Sequence, residues 1–263
     1  MSRRPRIVAV VNQKGGVGKT TTAINLGATL AAYERRTVLL DLDPQSNCSS
    51  GLGFDGNGVG PTTYDVLLGE ATTTEALQRS EFPHLAVIPA TPDLAGAEVE
   101  LVGRVGREFR LRDALSAGGL EEYHFGLIDC PPSLGLLTVN ALAAADALLV
   151  PIQCEYFAME GVSKLMGTVE EVRRYLNPNL TIDGVLLTMY DERTNLAQQV
   201  AEEVRKVFGE LVFDAVVPRN VRLAEAPSFG RPIHAYDLRS RGAQAYLELG
   251  REYLQRMESN HDG

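Results

Sequence analysis

The sequence predicts an α/β fold of three layers: a mostly parallel, twisted sheet with helices on both faces. Three observations carry this expectation. Short β-branched runs alternate with helical patterns along the whole chain, the signature of strand–helix units that build a parallel sheet. The runs are apolar throughout rather than alternating with polar residues, as strands covered on both faces are. The 263 residues are 44% hydrophobic and 22% charged, a composition able to bury a large core without covalent staples.

In chain order, strands are predicted at Ile7–Val11, Thr37–Asp41, Leu85–Pro89, Phe125–Asp129, Ala147–Ile152, Ile182–Met189 and Leu211–Val216. Helical patterns cover Thr20–Ala32, Glu155–Tyr175, Leu196–Phe208 and Gly242–Met257. No repeat or low-complexity linker interrupts them. The glycine-rich stretch Asp55–Pro61 reads as a loop. Residues 1–263 therefore read as one domain, with the polar segment Glu258–Gly263 as a frayed tail.

Several classes are excluded early. Cys48, Cys130 and Cys154 are odd in number, far apart and form no paired motif, so they read as reduced thiols. The N-terminal Arg3, Arg4 and Arg6 precede only five apolar residues, Ile7 to Val11, too few for a secretory signal. No apolar stretch approaches the length of a membrane span, and a cytoplasmic location is expected. The formal net charge of −9 argues against a surface coated with phosphate-binding cations, though not against a local basic face.

The chemistry concentrates after the first strand. Asn12-Gln13-Lys14-Gly15-Gly16-Val17-Gly18-Lys19-Thr20-Thr21 joins that strand to a helix. Successive backbone N–H groups in such a loop converge on an anion, and the helix N-terminus adds partial positive charge. Lys19 is placed to reach the β- and γ-phosphates of a nucleotide, and the Thr20 hydroxyl to bind Mg²⁺. Gln13 stands where the general G-x-x-x-x-G-K-[ST] pattern has its first glycine, and Lys14 adds a second lysine before the glycines.

Acidic residues close two strands. Asp41 and Asp43 end the second, where ligands of an open α/β sheet sit. One could orient a water for in-line attack while the other supports Mg²⁺. Asp129 ends the apolar run Phe125–Ile128, as a carboxylate holding Mg²⁺ directly or through water does; a buried helix-capping aspartate is the plainer alternative.

The loop K-G-G-x-G-K-[ST] resembles that of the ParA/MinD family of deviant Walker A ATPases. The resemblance recurs at Asp41-Leu42-Asp43-Pro44-Gln45, Asp129-Cys130-Pro131-Pro132-Ser133, Gln153-Cys154-Glu155-Tyr156 and Pro218-Arg219-Asn220-Val221-Arg222, and looks most like the chromosomal ParA (Soj) branch. It implies a P-loop NTPase fold that binds ATP and Mg²⁺ through Lys14, Gly15, Gly16, Val17, Gly18, Lys19, Thr20 and Thr21. By the same resemblance Lys19 contacts the bound nucleotide, Lys14 reaches the partner's nucleotide across a homodimer, and Asp43 positions the water. Pro218 and Asn220 match positions near the adenine, although Asn220 read alone is an ordinary turn residue.

From Val217 to Arg241 five arginines (Arg219, Arg222, Arg231, Arg239, Arg241) face two carboxylates (Glu225, Asp237), a local excess of +3. Such a cluster suits a nucleic-acid backbone; a solvated face of ion pairs is the ordinary alternative. By resemblance, Arg193 and Arg222 bind DNA without sequence preference, and a ParB-type centromere-binding protein stimulates hydrolysis and release. A membrane-bound MinD-like regulator is disfavoured, because Glu258–Gly263 is acidic and polar rather than a basic amphipathic helix, while Ala245, Leu249 and Leu254 suit packing onto the core. Iron–sulfur chemistry lacks paired thiolates. A small-molecule kinase is disfavoured by Lys14.

Overall fold

The computed structural model describes residues 4–54, 56, 60–156 and 158–259. Arg3, positions 55 and 57–59 of the glycine-rich loop, and positions 260–263 of the tail lie outside the described residues. Glu258 and Ser259 are not frayed: they complete the last helix, Arg241–Ser259.

Seven strands form one sheet: β1 Arg6–Val10, β2 Thr37–Asp41, β3 Gln78–Arg79, β4 Leu85–Ile88, β5 Phe125–Asp129, β6 Ala147–Gln153 and β7 Thr181–Thr188, in the order β3-β4-β2-β5-β1-β6-β7. All pairings are parallel except β3 with β4. The strands alternate between two cores. Ile7 and Ala9 join Leu40, Ile128 and Leu148 in one; Val8 and Val10 join Leu39, Leu127 and Leu149 in the other. This is why the strands read as unbroken apolar runs: each successive side chain enters a different buried layer. The last helix closes the second core with Ala245, Tyr246, Leu249 and Tyr253, against which Leu254 packs half-buried.

Two strand expectations are corrected. Leu211–Val216 is not a strand. A 3₁₀ turn ends at Leu211, and only Val212 bridges Val185. Phe213 N–H donates to Val185 O and Val217 N–H to Leu187 O, both at 2.9 Å, but between them the Glu252 carboxylate accepts the N–H groups of Asp214 and Ala215 at 3.0 and 2.9 Å, so the ladder is interrupted. β3 was not expected, since two residues carry no periodicity. The helix expected from Glu155 begins at Ala158 instead. Met189, at φ 50°, ends β7 one residue before the predicted boundary.

Buried charge ties the sheet to the last helix. Arg6 at the start of β1 pairs with Asp183 of β7, and the Tyr253 hydroxyl donates to Asp183 at 2.7 Å. β1 lies inside the sheet, between β5 and β6, and delivers the glycine loop to the carboxyl edge where ligands of such sheets bind.

Candidate functional site

Gly16 and Gly18 take φ of 75° and 90°, left-handed values that a side chain resists. A Cβ placed at Gly15 or Gly16 would meet no protein atom within 4 Å, so the space before the loop is open. Gly18 caps the helix Lys19–Ala32 without a side-chain bond, leaving the first-turn N–H groups for an anion.

Two neutral hydrogen bonds wire this loop to the neighbouring strands. The buried Asn12 amide donates to Pro151 O of β6 at 2.7 Å, while its carbonyl accepts Lys14 N–H at 3.0 Å. The Thr188 hydroxyl of β7 donates to Val17 O at 2.8 Å. Neither residue was singled out by the sequence. Asn12 borders the motif, but Thr188 lies far along the chain and offers no local signal.

The two lysines are held differently. Lys19 is 6% exposed and donates to Lys14 O at 3.0 Å. Burial lowers its proton affinity, which the neighbouring carboxylates, Asp129 first and then Asp43, partly restore. The Lys14 ammonium instead pairs with the Glu155 carboxylate beyond the end of β6, with both side chains partly exposed. Glu155 belongs to a segment already quoted for its resemblance, yet its pairing could not be read from sequence.

The three carboxylates separate into distinct roles. Asp41 is fully buried and spoken for: it accepts Ser49 N–H at 2.8 Å, the Ser49 hydroxyl at 2.6 Å and Asp43 N–H at 3.1 Å. It staples the loop after β2, and burial pushes its carboxyl up to about 6. Asp43 lies past the strand end, and one oxygen accepts Gln45 N–H at 2.9 Å. Asp129 stands in register with both Val10 and Asp41. It is fully buried, and neither carboxyl oxygen has a hydrogen-bond partner; the Thr20 hydroxyl faces it from outside bonding geometry. Burial, then the Asp41 charge, pushes Asp129 well above the usual carboxylate range, against the pull of Thr20 and Lys19. It does not cap a helix, since the next one starts after Gly135.

An orphaned buried carboxylate facing a threonine hydroxyl and a lysine fits a divalent cation. Among the described residues no group of three or more His, Cys, Asp or Glu side chains could hold a metal alone. A Mg²⁺ ion held there would take its other ligands from waters and substrate phosphates.

Comparison with known proteins now decides the family. A family described as an AAA domain matches residues 5–182. The chromosome partitioning protein ParA of Myxococcus xanthus is 58% identical over 251 residues, covering 95% of this chain and 88% of that protein. The sporulation initiation inhibitor protein Soj of Bacillus subtilis is 54% identical, covering 94% and 97%. The chain belongs to the ParA/MinD family. Among solved structures, a Mycobacterium smegmatis protein described as cobyrinic acid a,c-diamide synthase, with an ATP analogue and magnesium bound, matches with a TM-score of 0.84 at 39% identity, covering 97% of each chain.

In this ParA/MinD-family chain a cavity opens at the start of the helix that follows the cradle. It has a volume of about 290 Å³ and is lined by Thr20, Thr21, Asn25, Asn47, Pro227 and Arg231, among others. Pro218 and Asn220 do not line it. Pro218 bridges Tyr190 after β7, and Asn220 caps the helix Val221–Glu225, its side-chain oxygen accepting Arg222 N–H at 2.8 Å.

The arginine loops do meet. Tyr190 N–H donates to Val217 O at 3.1 Å and Arg219 N–H to Tyr190 O at 3.4 Å, bringing Arg193, Arg219 and Arg222 to one edge. Arg193 is 84% exposed and forks onto Asp191 at 2.8 and 2.7 Å; this guanidinium holds the Asp191 carboxyl down to about 2. Arg222 is 54% exposed and pairs with Glu225 at 2.8 Å and Asp237 at 3.6 Å. Arg241 lies 3.8 Å from Glu192. The face is thus a network of exposed ion pairs, with Arg193 and Arg222 both engaged.

All three cysteines are buried free thiols. Burial raises each above the ordinary thiol range, so none is primed as a thiolate.

Proposed function

We propose that the chain is an ATP-dependent DNA-partitioning ATPase, acting as one domain, whose ATP-bound sandwich dimer binds duplex DNA without sequence preference. A ParB-type centromere-binding protein then stimulates hydrolysis and release. Lys19 and the loop N–H groups of residues 14–21 hold the phosphates, with Pro218 and Asn220 near the base. Thr20 and Asp129 hold Mg²⁺, which supplies charge neutralisation between the phosphates. Asp43, free of the staple that occupies Asp41, orients the attacking water.

The observation that carries this reading is the division between two lysines of one loop. Lys19 is buried among Asp129, Asp43 and the loop carbonyl of Lys14. Lys14 is part-exposed and its ammonium is taken up outside the cradle. A nucleotide enzyme that works alone needs one such lysine; a second one facing outward suits contact with a second copy's phosphates. The relatives named for partitioning support the biological setting.

Arg193 and Arg222 supply the DNA contacts. Their carboxylate partners do not preclude this, because an exposed pair is worth only about 0–1 kcal/mol and exchanges readily for a phosphate. No described helix is long and apolar enough to cross a membrane, and the apolar residues of the last helix are turned into the core. We therefore place the protein in the cytoplasm, on the nucleoid when ATP-bound.

Light scattering with ATP and Mg²⁺ tests the dimer. The parent chain should double in mass. Lys14→Ala should keep nucleotide affinity and stay monomeric, whereas Lys19→Ala should lose the nucleotide itself. Identical behaviour of the two variants would overturn the division of roles.

A further inference from the structure

The loop that carries Lys14 is anchored on one side only by groups that cannot move far. Asn12 is bonded to Pro151 of β6 and Thr188 of β7 to Val17, both through buried neutral hydrogen bonds. The segment after β6 is also fixed as far as Glu155: Cys154 N–H donates to Thr188 O at 3.2 Å and Glu155 N–H to Gln153 O at 2.8 Å. The backbone that carries the Glu155 carboxylate is thereby held beside the loop. Lys14 is the movable partner, a long flexible side chain whose backbone alone is fixed, through its N–H to Asn12.

We infer that Glu155 is a positioning residue that latches Lys14 in cis, so that each protomer must release this ion pair before Lys14 can reach a second copy's nucleotide. The consequence for the dimer rests on the function proposed above; the latch itself is a property of the nucleotide-free chain. Its strength is set by its exposure. Both side chains are 36% exposed, so the pair has the worth of an ordinary solvated ion pair, enough to bias an equilibrium by up to about fivefold. A bound polyphosphate with Mg²⁺ offers more charge and more acceptors than one carboxylate, so it can take the ammonium from Glu155. Without nucleotide no such competitor exists, and the lysine stays parked. The design keeps a cation needed in trans from entering its own cradle, where Lys19 already fills the corresponding place.

Glu155→Gln tests this, because it keeps the shape and removes the charge. The chain holds only four lysines, Lys14, Lys19, Lys164 and Lys206, so competitive acylation followed by mass spectrometry resolves each. In the nucleotide-free chain, Lys14 of the Gln variant should acylate up to about fivefold faster than in the parent, while Lys164, paired with Glu160 at 2.8 Å, should not change. With ATP and Mg²⁺, association measured by light scattering should reach half-completion at a protein concentration lower by up to about twenty-five-fold, since each dimer opens two latches. Glu155→Asp, which keeps the charge on a shorter stem, should fall between parent and Gln variant on both scales, and all three should unfold at the same temperature. Unchanged Lys14 reactivity would overturn the latch. Raised reactivity with unchanged or weaker association would overturn its restraining role. Failure of the parent to associate at all, with the reactivity difference intact, would instead contradict the proposed dimer and leave the cis latch standing.

Discussion

The phosphate cradle and the arginine face both rest on cationic side chains, and they are held by opposite means. In the cradle, Lys19 is buried, the loop is fixed by Asn12 and Thr188, and Asp41 is consumed in stapling the adjoining turn. On the arginine face, Arg193 and Arg222 are exposed and paired with carboxylates of their own loops. A buried polar group without its partner is costly, so the cradle has one arrangement. An exposed ion pair is worth little and exchanges with solvent, salt or phosphate. On the function proposed above, the first region holds a nucleotide in one pose and the second holds any duplex and lets it go.

The largest effect should come from the centre of the cradle. Lys19→Ala should weaken nucleotide binding by on the order of a hundredfold, because a desolvated charge contact to phosphate disappears. Calorimetric titration with ATP and Mg²⁺ checks it; a loss below tenfold would mean that Lys19 is not buried against the ligand. Asp43→Ala should come next, slowing hydrolysis by about 10²–10⁴-fold with nucleotide affinity kept within about threefold. Turnover near the parent rate would remove Asp43 from the role of water positioner.

The comparison sharpens at the tethers. Asn12→Ala leaves the Lys14 N–H and the Pro151 carbonyl without their partner, and should cost about 1–3 kcal/mol in denaturant unfolding together with weaker nucleotide binding. Arg193→Glu and Arg222→Glu should each change stability by no more than about 0.5 kcal/mol yet reduce DNA affinity at least tenfold and flatten its salt dependence by about one to two units of slope. Equal unfolding costs for the Asn12 and Arg193 variants would erase the distinction between the two regions. The smallest effect belongs to Asp191→Asn. Releasing Arg193 from its fork should raise DNA affinity about two- to fivefold; a fall would mean that Asp191 holds the guanidinium ready for phosphate rather than competing with it.

How much of this could be read beforehand follows the same division. The sheet, the glycine loop and the acids closing β2 and β5 are local in sequence: apolar runs, a glycine pattern and a terminal carboxylate lie within a few residues of each other. The roles of Asp41 and Asp43 were not separable, because Ser49 takes up Asp41 through a turn whose geometry no spacing rule fixes. Leu211–Val216 misled for a related reason. Its β-branched pattern is genuine, but Glu252, in the last helix, removes the donors that a strand requires. Thr188 and Glu155 act through contacts made only once the sheet has assembled, and Asp237 reaches Arg222 only once the loop between them has folded. Charge counting gave the arginine excess; it could not show that Arg222 sits between Glu225 and Asp237.

The central claim joins the two regions: occupancy of the cradle by ATP switches the arginine face onto DNA by doubling it in a dimer, where linked sites gain through effective concentration. Electrophoretic shift of unrelated duplexes by the Asp43→Ala protein, which should hold ATP without consuming it, tests this at several salt concentrations with ATP, with ADP and without nucleotide. The account predicts binding with ATP alone, equal on every duplex and falling steeply with salt. Equally tight binding by the nucleotide-free protein, or binding indifferent to salt, would contradict it.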